Sequence, residues 1–147
     1  MKPFAFLASF AALASARITG FATPKTIAPD STIKLLILTE SFSQTVYDVA
    51  TSFGLSPTNR SYPGSLGDVL SSKFLGPDSS NIIENITHYV HIPATGLDKG
   101  ENVTLTAAHF SLIGALRSPI VTSYAVNITV GDMTSSEYVR SELVPEQ

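Results

Sequence analysis

Three segments in the second half of the chain alternate between apolar and polar residues, and this alternation constrains the fold more than any other feature. The segments are residues 83–92, 102–110 and 120–130. Side chains two residues apart lie on the same face of a β-strand, so the alternation predicts strands with one buried and one solvated face. Such strands are typical of antiparallel sheets. We therefore predict an all-β protein.

Shorter strand signals fill the first half of the chain. Residues 17–21 predict a short opening strand, and residues 45–55 alternate again. Residues 32–39 are apolar on both faces, which indicates a central strand covered on both sides. Residues 69–70 and 73–75 predict an edge strand within a stretch rich in Gly and Pro. Six or seven such strands predict a two-sheet antiparallel sandwich, immunoglobulin-like or fibronectin type III-like.

The composition removes several classes of protein. The chain contains no Cys, which excludes a disulfide scaffold, a Cys-ligated metal site and a thiol nucleophile. It also contains no Trp, so it lacks both the cysteine pair and the core tryptophan of an antibody-type domain. Nine Lys and Arg stand against twelve Asp and Glu, for a net charge of −3. This balance offers no basic face to phosphates, so we expect no nucleic-acid partner.

Residues 1–16 have the pattern of a secretory signal peptide. Lys2 supplies one positive charge, residues 4–13 form an apolar run, and small residues precede a cleavage site between Ala16 and Arg17. The apolar run is about half of the roughly 20 residues that a membrane-spanning helix needs. The alternative is a buried N-terminal helix, but the run has no polar residues at helical spacing.

Cleavage would leave a chain with two parts. Residues 17–131 are predicted to form the β-sandwich domain. Residues 132–147 are polar and unpatterned, which predicts a flexible C-terminal tail. No second apolar stretch approaches spanning length, so we expect no membrane span. The protein is therefore predicted to be secreted, extracellular and monomeric.

Four N-x-Ser/Thr sequons follow the signal peptide, at Asn59, Asn85, Asn102 and Asn127. They are acceptors for N-linked glycans only in a chain that enters the secretory route. The alternative is that an outward strand face favours Asn and Thr two residues apart. In the last three sequons the apolar middle residue is predicted to face inward, so that both ends face solvent. We expect at least two of the four to carry a glycan.

The residues that could support catalysis or metal binding are not spaced for it. His88 and His91 are three apart, so on a strand they point to opposite faces, which argues against a shared metal. His88 and His109 fall on inward positions and could meet across the sandwich. The carboxylates are scattered singly, at Asp48, Asp68 and Glu84. Acid–base catalysis needs paired carboxylates or a His–carboxylate pair, so we predict no catalytic residue, no cofactor and no metal.

Residues 56–81 are the least regular part of the domain and form a candidate interaction surface. A long loop-rich stretch in a compact domain is often functional. Tyr62 lies in a turn rich in Gly and Pro, and an exposed Tyr there could anchor a protein or stack on a sugar. The alternative is a Tyr packed over the edge of the sandwich. Lys73 and Phe74, on the predicted edge strand, complete the candidate surface.

The junction at residues 14–21, Ala-Ser-Ala-Arg-Ile-Thr-Gly-Phe, resembles the start of the necrosis-inducing secreted protein 1 family, effectors of plant-associated fungi. The similarity continues through Ser-Thr-Ile at 31–33, Leu-Thr-Glu at 38–40, Phe-Gly-Leu-Ser-Pro at 53–57, Tyr-Pro-Gly-Ser-Leu-Gly at 62–67 and Ser-Ser-Lys-Phe-Leu-Gly-Pro-Asp at 71–78. A weaker likeness extends to Asn-Ile-Thr-Val at 127–130. The resemblance therefore covers nearly the whole predicted domain.

This resemblance implies a secreted effector without catalytic activity. Members of the family are associated with suppression of pattern-triggered immunity, through binding and inhibition of plant immune receptor-associated kinases, and they can induce host cell death. Such kinases lie in the host cytoplasm, so the resemblance also implies entry into host cells from the apoplast. It assigns no binding residue, and it identifies neither the kinase nor a translocation motif.

A second hypothesis, from a different class, is an extracellular β-sandwich module that binds fungal or plant wall polysaccharide without catalysis. The sandwich, the sequons and the possible stacking residues Tyr62 and Tyr89 motivate it. Co-precipitation with receptor-like kinases and a pull-down on insoluble polysaccharide distinguish the two hypotheses.

Overall fold

The computed structural model describes residues 15–146, and these residues form an all-β protein, as predicted. Ten strands lie within them: β1 (Ser15–Pro24), β2 (Thr26–Ile27), β3 (Thr32–Phe42), β4 (Val46–Pro57), β5 (Asp68–Phe74), β6 (Ile86–His91), β7 (Asn102–Ile113), β8 (Ser118–Val130), β9 (Tyr138–Arg140) and β10 (Glu142–Leu143). Between β4 and β6 lie a 3-10 turn, Thr58–Arg60, and a short helix α1, Gly76–Ser79. The predicted edge strand is β5, so residues 56–81 are more regular than their sequence indicates.

The strands form two sheets. The four-stranded sheet has the order β6-β3-β1-β9, and the six-stranded sheet has the order β10-β8-β7-β4-β5, with β2 also paired to β8. Neighbouring strands are antiparallel except β2 and β8, which pair in parallel. This two-residue pair is the exception in a structure that otherwise has the predicted antiparallel pairing. Strand β2 follows β1 after the single residue Lys25 but lies in the other sheet.

One hydrophobic core lies between the two sheets. Ile33 and Leu35 of β3 are buried from one side, and Val103 and Leu105 of β7 are buried from the other. Phe21 of β1 and Phe53 of β4 meet edge to face, with ring centroids 5.5 Å apart, an arrangement that aromatic pairs favour. Face-to-face packing agrees with a two-sheet sandwich, whereas its immunoglobulin or fibronectin type III character stays a prediction.

A β-bulge in β4 changes which side chains reach the core. The pairing of β4 with β7 shifts between Asp48 and Ala50. Such a bulge adds one residue to one strand, so the alternation reverses across it. Asp48 and Thr51 are consequently both buried, although strict alternation puts them on opposite faces.

The C-terminal segment 132–146 is not a loose tail, which corrects the prediction. Strand β9 pairs with β1 in the four-stranded sheet, and β10 pairs with β8 in the six-stranded sheet. Between them, the Ser141 backbone N–H donates to the Phe21 carbonyl oxygen at 2.8 Å, and the Phe21 N–H donates to Ser141 Oγ at 2.8 Å. These bonds satisfy backbone groups of β1 that would otherwise lie unpaired at a sheet edge.

The predicted signal peptide falls almost wholly on residues 1–14, which lie outside the described residues. Strand β1 begins at Ser15, before the predicted cleavage site between Ala16 and Arg17. Ala16 is buried, and its N–H donates to Asn81 Oδ1 at 2.6 Å. Cleavage therefore stays a prediction, and it would remove the first two residues of β1. Among the described residues, none of the helices has the length and apolar character to cross a membrane.

Candidate interaction surface

Tyr62 lies in a loop that crosses the outer face of the six-stranded sheet. Gly54 of β4 sits under this loop, and a Cβ there would overlap the carbonyl oxygen of Leu66. Glycine therefore allows the loop to approach the sheet closely. Tyr62 itself is 73% exposed. It presents its ring to solvent instead of packing over the edge of the sandwich, which favours the binding interpretation over its alternative.

Lys73 and Phe74 lie at the end of β5, which is an edge strand of the six-stranded sheet. Phe74 is 70% exposed, and its ring leans over Gly76, where a Cβ would overlap it. The residues after Tyr62, Pro63 and Gly64, line a cleft with β8 and β10 at the other end of the strand order. The structure therefore does not bring Tyr62 and Phe74 together into one surface.

A further aromatic surface lies on the outer face of the four-stranded sheet. Tyr89 of β6 stands opposite Lys34 of β3 and is 64% exposed. Tyr138 lies on β9, at the opposite edge of this sheet from β6, and it also contacts Lys34. Its hydroxyl donates to the Lys34 carbonyl oxygen at 2.8 Å. Sequence reasoning identified Tyr89 but missed Tyr138, since Tyr138 falls in the segment expected to be a tail.

The structure brings together a His–carboxylate pair that the sequence spacing did not indicate. His109 Nε2 lies 2.8 Å from Asp48 Oδ1, and His109 Nδ1 lies 2.8 Å from Thr51 Oγ1. A carboxylate only accepts hydrogen bonds, so Nε2 donates to Asp48, and Nδ1 shares the second hydrogen bond with the Thr51 hydroxyl. The bulge in β4 is what directs Asp48 and Thr51 to the same ring.

This arrangement has the composition of a catalytic triad but is enclosed in the protein. A cleft of about 260 Å³ reaches Asp48 and His109, with Ser111 and Tyr124 among its other lining residues. The side chains of His109 and Asp48 are each 3% exposed. Thr51, the hydroxyl that such a triad would activate, is likewise 3% exposed. Both ring nitrogens are already bonded within the core, so the network is suited to holding β4 and β7 together.

His88 and His109 hydrogen-bond to separate partners. His88 Nε2 lies 2.8 Å from Ser71 Oγ of β5, and its ring stacks on Phe53 with centroids 5.5 Å apart. Burial, and secondarily the positive charge of Lys73, lowers the pKa of His88 below its usual 6.5. His91 instead faces solvent, near Asp30. Among residues 15–146, no three His, Asp or Glu side chains converge in a way that could hold a metal ion.

The fold and the exposed residues thus define a cysteine-free, two-sheet β-protein with exposed aromatic side chains on both sheets. The chain belongs to the Nis1 family, whose family model matches residues 14–129.

Two relatives support this assignment, and both are named necrosis-inducing secreted protein 1. One, from Colletotrichum orbiculare, is 45% identical over 142 residues, which cover 97% of this chain and 86% of the relative. The other, from Colletotrichum higginsianum, is 45% identical over 131 residues, which cover 89% of this chain and 90% of the relative. The resemblance seen in the sequence motifs is therefore confirmed over most of the chain.

Proposed function

We propose that this protein is a secreted effector that induces necrosis in plant tissue. The observation that carries the proposal is the 45% identity, over 97% of this chain, to a protein named for necrosis induction and secretion. Family membership favours a protein that acts by binding, since the family is not known as one of enzymes. The enclosed Asp48–His109 network agrees with that reading, because it offers a substrate no free hydroxyl or ring nitrogen.

We further propose that it binds host immune receptor-associated kinases and so suppresses pattern-triggered immunity, which requires entry into the host cytoplasm. The edge strand β5 supports a protein-binding role. Within residues 15–146 it pairs only with β4, so the other side of β5 carries backbone groups that a partner strand could pair with. Exposed Phe74 and neighbouring Lys73 would give such pairing its specificity. A large exposed aromatic side chain is a common anchor of protein interfaces.

Two linked measurements test the proposal. The protein is expressed in leaves, where necrosis is scored, and the same extracts are used for co-precipitation with receptor-associated kinases. Phe74→Ala and Tyr62→Ala are compared with Leu116→Ala, which removes an equally apolar side chain that is 92% exposed in the β7–β8 turn.

We expect at least one of the two aromatic variants to lose kinase binding roughly 30-fold or more, because interface anchors cost about 2 kcal/mol or more when truncated. Leu116→Ala should bind as the unchanged protein does. Absence of kinase binding by the unchanged protein would refute the kinase proposal. Absence of necrosis would refute the effector proposal itself.

Polysaccharide binding is a second candidate function, favoured by the exposed rings of Tyr62 and Tyr89. Aromatic rings at the surface can stack on sugars. A pull-down of the purified protein on insoluble chitin, glucan and cellulose tests it directly. Retention that Tyr89→Ala abolishes would support this candidate, and retention on none of the three would remove it.

A further inference from the structure

Two of the four sequons lie side by side on neighbouring strands. Asn102 of β7 stands opposite Thr129 of β8, and Thr104 of β7 stands opposite Asn127 of β8. Each sequon therefore presents its Asn to the Thr of the other. Thr104 Oγ1 donates to Asn127 Oδ1 at 2.9 Å, and Thr129 Oγ1 donates to Asn102 Oδ1 at 3.4 Å.

These contacts orient both amides in the same way. Each side-chain amide accepts through its oxygen, so its nitrogen Nδ2 lies on the side away from the partner hydroxyl. Nδ2 is the atom to which an N-linked glycan is attached. Both Asn side chains are exposed on the outer face of the six-stranded sheet, whereas Val103 and Ile128, the middle residues, are buried in the core.

A third sequon, at Asn59, lies close to these two. It belongs to the loop that crosses the outer face of the six-stranded sheet. Asn59 and Asn102 line one shared cleft, together with Thr58 and Glu101. Thr104 Oγ1, besides donating to Asn127, accepts from the Thr58 hydroxyl at 3.2 Å. Thr104 is consequently buried, which corrects the expectation that both ends of every strand sequon face solvent. Asn85 lies apart from the three, just before β6 in the four-stranded sheet.

We propose that Asn59, Asn102 and Asn127 carry N-linked glycans that form one cluster at this end of the six-stranded sheet. In the secretory route, Nδ2 of each Asn forms a bond to the first sugar of a lipid pyrophosphate-linked oligosaccharide. The bond from that sugar to the pyrophosphate breaks, Nδ2 gives up one proton, and the lipid pyrophosphate leaves. The transfer occurs on the unfolded chain, so the later burial of Thr104 does not prevent it.

The cluster would decide which surfaces a partner can reach. On the outer face of the six-stranded sheet, three bulky glycans at this position cover the start of β7, the end of β8 and the start of the loop that carries Tyr62. The β5 edge with Phe74 and the outer face of the four-stranded sheet with Tyr89 stay uncovered. The proposal rests on the secretion that the proposed function includes, but not on the identity of any partner.

The sequons fall on separate tryptic peptides, which makes the test direct. Cleavage after Lys and Arg places Asn59 in residues 35–60, Asn85 in 74–99, Asn102 in 100–117 and Asn127 in 118–140. The full chain is expressed in a fungal host, recovered from the medium, and treated with peptide N-glycosidase before trypsin. That enzyme converts each glycosylated Asn to Asp, so mass spectrometry of the four peptides reads each site independently.

We expect conversion at Asn59, Asn102 and Asn127. Thr129→Ala should abolish conversion at Asn127 alone, while the matched control Thr129→Ser keeps the sequon and the conversion. Secreted protein with Asn102 and Asn127 unconverted would overturn this proposal and leave the effector proposal intact. A chain that stays in the cytosol would overturn both, since neither glycosylation nor secretion would then occur.

Discussion

Removal of the His109 side chain should destabilise the protein far more than removal of any exposed histidine. His109→Leu keeps a similar volume but takes away both hydrogen-bond partners of the ring. Asp48, 3% exposed, then carries a buried charge without its partner, and the Thr51 hydroxyl loses its hydrogen bond to the ring. Breaking a buried pair by removing one partner costs about 3–5 kcal/mol. We therefore expect the free energy of unfolding to fall by about 4 kcal/mol.

Urea unfolding followed by far-UV circular dichroism measures this loss. With a slope of about 1–3 kcal/mol per molar urea, the midpoint should fall by more than about 1 M. The chain supplies its own matched control, the exposed pair His91 and Asp30, whose side chains are 62% and 73% exposed at 3.5 Å. His91→Leu should cost only about 0–1 kcal/mol, as exposed pairs do.

A second variant tests the reasoning more sharply. In the double variant Asp48→Leu with His109→Leu, no charge is left buried, so it should be more stable than His109→Leu alone. Replacement of a whole buried pair by apolar side chains is often neutral or stabilising. A loss below about 1 kcal/mol for His109→Leu, or a double variant less stable than the single one, would refute the account of this network.

Three further predictions concern the core, the pH response and the loop. Phe53→Ala should lower the free energy of unfolding by about 3–5 kcal/mol, because the fully buried ring leaves a cavity, and urea titration measures it. Because the folded state lowers the pKa of His88, the unfolded chain binds that proton more readily, so stability should fall as pH drops below 6.5. In His88→Gln, the melting temperatures measured above and below pH 6.5 should differ less than in the unchanged protein. The same pH dependence in both proteins would contradict the assignment of this effect to His88. Gly54→Ala should displace the loop at Leu66 and speed tryptic cleavage after Arg60, whereas equal cleavage rates would show that the loop is not held there.

The strands of the core could be predicted because their alternation is local. Residues 102–110 and 120–130 carry the pattern within a few residues, and β7 and β8 include both segments. The bulge in β4 could not be predicted, because residues 45–55 alternate without interruption in the sequence. Only the pairing with β7 shows that the register shifts between Asp48 and Ala50. The Asp48–His109 pair was missed for that reason.

The C-terminal strands could not be predicted because they are too short to show a period. Strand β9 has three residues and β10 has two, and the partners of β9 in β1 lie far away in the sequence. The candidate interaction surface likewise includes one residue that the sequence could predict and one that it could not. Exposure of Tyr62 follows from its turn, a local signal, whereas the position of Tyr138 beside Lys34 depends on a pairing between distant strands.

The way β9 closes the four-stranded sheet affects how the protein can be made. Phe21 and Ser141, which hydrogen-bond to each other, are 120 positions apart, so β1 cannot form these bonds until the 120 residues that follow Phe21 have been synthesised. Contacts between distant residues form late, because the entropy of closing a long loop must be overcome first. The nascent chain therefore leaves the ribosome with β1 still lacking its second neighbour. Until Ser141 has been synthesised, the four-stranded sheet cannot be completed.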